Sequence, residues 1–133
     1  MKKIILLILL IMGCENSTES IIIDRSGTYT LTSMLKYEGS ECSGESVDMI
    51  DYYLNNEWEN APKYILYSDG SLEITFEITV TGSWTQDNNN SSTITTESET
   101  LNIIFTNNAF YHTMIDQNIC GKFIYTKDED SSS

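Results

Sequence analysis

Ser71-Leu72-Glu73-Ile74-Thr75-Phe76-Glu77-Ile78-Thr79-Val80-Thr81 alternates without a break between polar and apolar side chains. Successive side chains of an extended strand point to opposite faces, so Leu72, Ile74, Phe76, Ile78 and Val80 share one face. On a helix the same residues would be spread around every side. The pattern predicts a strand over 71–81 with one dry face and one wet face. Asp69-Gly70, immediately before it, is a two-residue hairpin signal because both residues tolerate positive φ. Lys63 to Ser68 is therefore expected as the antiparallel partner, with Tyr64 and Leu66 on one face.

The same reading extends in both directions. Gly82-Ser83-Trp84-Thr85-Gln86 continues or bends the strand, with Gly82 read as a bulge or kink. Asp87 to Ser92 reads as a loop from which Thr93 to Glu97 returns. Leu101–Thr106, the Asn107-Asn108 turn and Ala109–Ile115 form a further hairpin, and Asp116-Gln117-Asn118 turns into Ile119–Lys127. Upstream, Gly27 to Tyr37 opens the series with Tyr29, Leu31, Ser33 and Leu35 on one side. One segment differs: Ser46 to Trp58 places Val47, Ile50, Tyr53 or Leu54, and Trp58 near helical spacing behind Ser46 as N-cap. The expected fold is all-β, an antiparallel up-and-down meander of seven or eight strands with one short helix after the first. Such a meander is expected to close into a small barrel, because closure removes the two reactive sheet edges.

The N-terminus points to a compartment. Lys2 and Lys3 precede an uninterrupted apolar run from Ile4 to Met12. At about 1.5 Å per helical residue that run is too short to span a roughly 30 Å hydrocarbon core, so it reads as the core of an export signal. Ile11-Met12-Gly13-Cys14 resembles the lipobox of bacterial lipoprotein signals, where an aliphatic residue, a tolerated residue and a small residue precede a cysteine. The resemblance implies cleavage after Gly13 and lipidation of Cys14 with diacylglycerol and acyl chains such as palmitate. Two or three chains would anchor the protein stably where one would not. The expected location is the bacterial cell envelope, lipid-anchored at the outer membrane. The domain plan is then a signal peptide over 1–13, an acylated cysteine and tether over 14–25, a barrel over 26–127, and a disordered acidic and serine tail over 128–133. Within the tether, Ile21-Ile22-Ile23 reads as a first strand or a plug against the core.

Composition narrows the partners. The chain has 133 residues and a formal charge of −13, and loss of Lys2 and Lys3 would make it more negative. That length suits one domain. A field of that sign repels nucleic acid, which is excluded as a partner. With Cys14 lipidated, Cys42 and Cys120 remain as an even pair in an oxidising compartment, where a disulfide is expected and two free thiols are the alternative. Two distant cysteines and one histidine make no metal ligand set, and no cofactor is expected.

Ser26-Gly27-Thr28-Tyr29-Thr30-Leu31-Thr32-Ser33 resembles the opening strand of small bacterial lipocalin-like domains, which typically begins Gly-x-Trp-x-Leu. Gly82-Ser83-Trp84-Thr85 behind an alternating strand, the excursion bearing a helix after strand one, and the late cysteine are similar to the same family. The resemblance covers about Gly27 to Lys127, with Tyr29 where the family usually has tryptophan. It implies a lipocalin-like barrel on an envelope lipoprotein.

No catalytic residues emerge. His112 is the only histidine, on a strand face shared with Phe110 and Met114, and nothing in the sequence supplies a nucleophile or an orienting carboxylate for it. Asp48 with Asp51, and Glu73 with Glu77, are carboxylate pairs that a chain this acidic produces as solvated surface. Tyr29, Leu31, Tyr64, Phe76 and Trp84 lie in phase with the apolar faces and are the candidate ligand-binding residues, with interior filling as the alternative. Tyr52, Tyr53 and Trp58 are candidates to cover one barrel mouth. The expected function is a non-enzymatic module binding a small hydrophobic ligand. The alternative is a filled barrel meeting an envelope protein partner through loops such as Asp87–Ser92 and Glu38–Ser46.

Overall fold

The computed structural model describes residues 23–129; Cys14, the apolar leader, Ile21, Ile22 and the last tail residues lie outside them. In chain order the elements are β1 (Gly27–Glu38), β2 (Ser46–Asp48), α1 (Ile50–Asn56), β3 (Lys63–Leu66), β4 (Ser71–Thr75), β5 (Thr79–Asn88), β6 (Ser91–Thr96), β7 (Thr100–Phe105), β8 (Ala109–Asp116) and β9 (Ile119–Lys127). β3 to β9 pair as consecutive antiparallel neighbours, and β1 pairs with both β3 and β9. This closes an eight-stranded antiparallel meander barrel, the architecture expected of the chain. β2 is a short addition to β1, paired at Leu35↔Asp48 to Tyr37↔Ser46 beyond the stretch that β3 covers.

Cross-strand partners share a face, so the registers place one inward row around the barrel. Tyr64 faces Ile74, Ile74 faces Val80, Trp84 faces Ile94, and Phe110 faces Tyr125. The interior is aromatic. Phe110 is fully buried, with ring centroids 5.0 Å from Tyr29, 5.3 Å from Tyr64 and 4.9 Å from Tyr125. Leu31, Ile50, Leu66, Leu72, Ile94, Ile103 and Phe105 fill the rest of the buried core.

The alternating stretch over 71–81 is not one strand but a hairpin, β4 and β5 around Phe76-Glu77-Ile78, with Ile74↔Val80 and Thr75↔Thr79 paired. A turn of three residues between paired positions leaves the odd–even phase unchanged, so alternation runs through it and hides it. The turn at Asp69-Gly70 is likewise longer than two residues. Tyr67 N–H donates to the Ser71 carbonyl at 3.0 Å, and Ser68, Asp69 and Gly70 form the loop. Gly70 at φ +93° occupies the left-handed position that such a three-residue loop requires.

Other boundaries shift for identifiable reasons. The helix expected over Ser46–Trp58 is only Ile50–Asn56, and Ser46 sits in β2 rather than at an N-cap. Asp48 organises this corner, accepting from Ser33 Oγ at 2.6 Å and from the Met34 and Ile50 N–H groups at 3.0 Å each. Burial pushes the Asp48 carboxyl up, but these three hydrogen bonds outweigh it and hold the group below the usual carboxylate range. The loop expected over Asp87–Ser92 shrinks to Asn89-Asn90, because β5 and β6 pair through to Asn88↔Ser91 across an irregularity after Gln86. Ser33 and Leu35 do not share the face of Tyr29 and Leu31. A bulge between Leu31 and Ser33 reverses the phase, and Met34 packs on the core instead. Gly82 is neither bulge nor kink: it pairs regularly with Leu72 and Thr96, and a Cβ there would collide with the Thr95 carbonyl oxygen. Only glycine allows that backbone approach.

Both chain ends are held further than expected. Arg25, placed at the end of the tether by the sequence, is buried like its barrel neighbour Ser26, so the domain begins at least one residue earlier than expected. Ile23 is exposed and forms no strand or plug. Asp128, expected as free tail, donates its N–H to the Thr28 carbonyl at 2.7 Å and accepts from Thr30 Oγ1 at 2.7 Å.

Candidate functional site

The two ends of the barrel differ. At one end lie residues 23–26 and the turns at 67–70, 89–90 and 106–108. Arg25, 7% exposed, closes it. Its Nε and Nη2 donate to the Asn89 carbonyl at 3.1 and 2.9 Å, and Nη1 donates to those of Thr106 at 2.9 Å and Asn107 at 3.3 Å. The guanidinium also lies 4.9 Å from the centre of the Phe105 ring, a cation–π contact. Tyr29 Oη donates to the Arg25 carbonyl at 2.8 Å, tying the core to this seal. This end is therefore closed by a planar cation satisfied by carbonyls.

The opposite end gathers α1, the loop after β1 and the turns at 76–78, 97–99 and 117–118. Among the described residues it holds most of the large apolar side chains left in water: Val47 on β2, Tyr52 and Leu54 on α1, Phe76 and Ile78 in the β4–β5 turn, and Met114, Ile115 and Ile119 around the β8–β9 turn. Apolar side chains concentrated at one end mark an interaction site more than the same number scattered singly. An open depression of about 270 Å³ is lined by Tyr64, Ile74, Phe76, Ile78 and Val80, with Thr96, Ser98 and Glu99 at its polar side. A larger neighbour of about 450 Å³ is bordered by Glu57, Glu59, Glu77, Asn60 and Phe76. Carboxylates on that border hold water, so the smaller, apolar depression is the better candidate for an apolar group.

The candidate ligand-binding residues separate in space. Tyr29 and Leu31 lie in the packed interior. Tyr64 is buried in the same cluster yet reaches the base of the apolar depression, and Phe76, 39% exposed, forms its rim. Trp84 faces inward nearer the closed end, its indole N–H donating to the Tyr67 carbonyl at 2.7 Å. It lines a different depression, with Asp24 and Gln86. Ile78, 72% exposed beside Phe76, belongs to the site although the sequence placed it inside a strand. Tyr53, Trp58 and Phe76 continue the rim as an aromatic chain, Tyr53 stacked on Trp58 at 4.7 Å and Trp58 edge-to-face with Phe76 at 5.0 Å.

Electrostatics follow burial. Desolvation pushes the Tyr64 phenol up to about 12, reinforced by the Glu99 carboxylate. Tyr29 is pushed up to about 12 by burial, partly offset by Arg25. Burial pushes Tyr125 up further. His112, 8% exposed, stacks on Phe123 at 5.1 Å, and its Nδ1 has no hydrogen-bond partner. Burial alone lowers its pKa from 6.5 to about 4. A base whose folded pKa is depressed leaves stability intact above the unfolded value and erodes it as pH falls toward the folded one. Acidification from pH 6.5 to 4 should therefore cost about 3 kcal/mol through His112. Urea titrations should show this loss in the native chain and a much smaller one in His112→Phe.

Cys42 and Cys120 form a disulfide across a separation of 78 residues, with Cα atoms 5.2 Å apart. It fastens the 39–45 loop to β9 at the open end. Among the described residues no group of three or more His, Cys, Asp or Glu side chains is placed to hold a metal ion. A comparison of the chain with known protein families, curated proteins and solved structures finds no match in any of the three.

Proposed function

We propose that this chain is a non-enzymatic envelope lipoprotein whose barrel binds a small hydrophobic ligand at its open end. The observation that carries this reading is the apolar depression between Tyr64, Ile74, Phe76, Ile78 and Val80, opposite an end sealed by Arg25. The packed interior limits the ligand to what the mouth can hold, an apolar group of modest size rather than a long enclosed chain. The anchor fits this polarity. Ile23 lies at the sealed end, its N–H donating to Asn89 Oδ1 at 2.8 Å. A lipid on Cys14, nine residues before Ile23, would tether the barrel through its sealed end and leave the open end unobstructed by the anchor. Intact mass of the N-terminus isolated from its envelope should show Cys14 as first residue with diacylglycerol and acyl chains; an unmodified Cys14 refutes the anchor.

Binding is tested with Nile red, a neutral apolar dye that the acidic surface does not repel. The native chain should give saturable one-site fluorescence enhancement. Ile78→Glu, which sets a charge on the rim, should weaken it by about tenfold or more. Gln86→Ala at the sealed end should not change it. Dye binding that ignores Ile78→Glu rejects the site.

A second reading has its own support. The interior is filled by Tyr29, Phe110, Tyr64 and Tyr125, and the exposed apolar side chains at the open end extend beyond the depression to Met114 and Ile115. A filled barrel with such a surface suits an envelope protein partner.

A further inference from the structure

One seam of the barrel is incomplete. β7 and β8 pair only at Ile104↔Tyr111 and Phe105↔Phe110. β8 pairs with β9 along its whole length, and β7 with β6 from Ser91↔Ile104 to Thr95↔Thr100. Toward the open end, residues 100–103 and 112–116 consequently face each other with no ladder pair between them.

Backbone direction fixes what points into this slot. Along an antiparallel strand, main-chain groups turn alternately to one neighbour and the other. The hairpin closes with the Thr106 N–H donating to the Ala109 carbonyl at 2.8 Å, which makes Ile104 and Tyr111 the next bonded pair. The same two-residue steps aim the N–H and C=O groups of Thr100 and Asn102 into the slot from β7, and those of Thr113 and Ile115 from β8. His112 and Met114 use theirs in the ladder to β9.

These edges are unguarded. Exposed strand edges are ordinarily blunted by charge, proline or a bulge. Thr100-Leu101-Asn102-Ile103 and Thr113-Met114-Ile115 contain no charged residue and no proline, and neither ladder of β8 shows a register shift. The edge of β2, by contrast, is three residues long and ends in Asp48. Met114 and Ile115, 58% and 59% exposed, leave apolar surface on both faces of the β8 edge.

We propose that this slot receives an extended segment of another protein, added as a strand to β8 through the main chain of Thr113 and Ile115. Charge selects the occupant. A chain of net charge −13 repels a second copy of itself. With Glu99 and Asp116 at the ends of the slot against Lys122 alone beside Thr113, the local balance is also acidic, which favours a segment that is basic between its apolar side chains. Main-chain hydrogen bonds supply the affinity in strand addition, so recognition tolerates sequence. The inference uses β7 and β8, not the depression between β3 and β6, and stands or falls apart from the ligand reading.

The test uses the isotope-labelled chain and the peptide Lys-Thr-Val-Lys-Val-Thr-Val-Lys. Without peptide, the Thr113 and Ile115 amides should exchange with solvent far faster than those of His112 and Met114. Peptide at about 1 mM should protect Thr113 and Ile115 selectively. The same peptide N-methylated at alternate residues should bind at least about tenfold more weakly. Thr113→Pro removes a slot-facing N–H without removing a bond to β9, and should weaken binding similarly. The peptide comparison is made on the native chain, so it decides the matter even if that variant folds poorly. The proposal is overturned if the Thr113 and Ile115 amides are already as slow as their neighbours, if the N-methylated peptide binds equally, if protection appears elsewhere or nowhere, or if sedimentation shows a dimer closing the slot.

Discussion

Arg25→Ala should destabilise the folded chain by about 4 kcal/mol, because it strips a buried charge-assisted donor set from three carbonyls at once. The carbonyls of Asn89, Thr106 and Asn107 lose the donors that now meet them at 2.9 to 3.3 Å, and Phe105 loses its stacked cation. Against a total stability of roughly 5–15 kcal/mol for a domain, that is a large fraction. Arg25→Lys should recover only part of it, since an ammonium is a point donor and cannot reproduce the planar fork that spans two turns. Urea unfolding of the three proteins measures this. A loss below about 1 kcal/mol in Arg25→Ala would mean that water replaces the guanidinium and that the end is not sealed by it.

Replacing Cys42 and Cys120 together by serine should cost a similar amount. Cross-linking residues 78 apart removes chain entropy worth about 4.5 kcal/mol from the unfolded state. Compact denatured chains reduce this, so about 4 kcal/mol is the expected loss. The site adds a local consequence. Cys120 is fully buried on β9, and Cys42 lies in the loop between β1 and β2. Without the bridge that loop is released from the open end, and amide exchange should rise there before it rises near Arg25. Equal stability of the reduced and oxidised chains would show that the bridge constrains nothing the fold does not already hold.

What the sequence revealed depended on which physical signal each feature leaves. The last hairpin was legible because its turn needs particular residues: Gln117 at φ +51° and Asn118 at φ +66° stand where a two-residue turn demands positive φ. Inward phase was legible for Tyr64, Ile74, Val80 and Trp84, since alternation reports a face whatever the connection. The same insensitivity concealed the turn at Phe76-Glu77-Ile78, and so concealed the rim of the site. The bulge in β1 left no mark, because Thr32 and Ser33 differ little in polarity. Arg25 was missed because a lone cation before a strand reads as solvated until its partners, more than sixty residues away, come into view. Tyr29 and Leu31 were in phase with the interior, but phase does not say whether an interior is filled; that depends on the summed volume of side chains from all eight strands.

The most direct test of a sealed end and a binding end is to map where an apolar probe settles on the isotope-labelled chain. Nile red should shift the resonances of Tyr64, Ile74, Phe76 and Ile78 and leave those of Arg25, Asn89 and Trp84 in place. Shifts centred on Trp84 and the turn at 67–70, or spread evenly over both ends, would contradict the account.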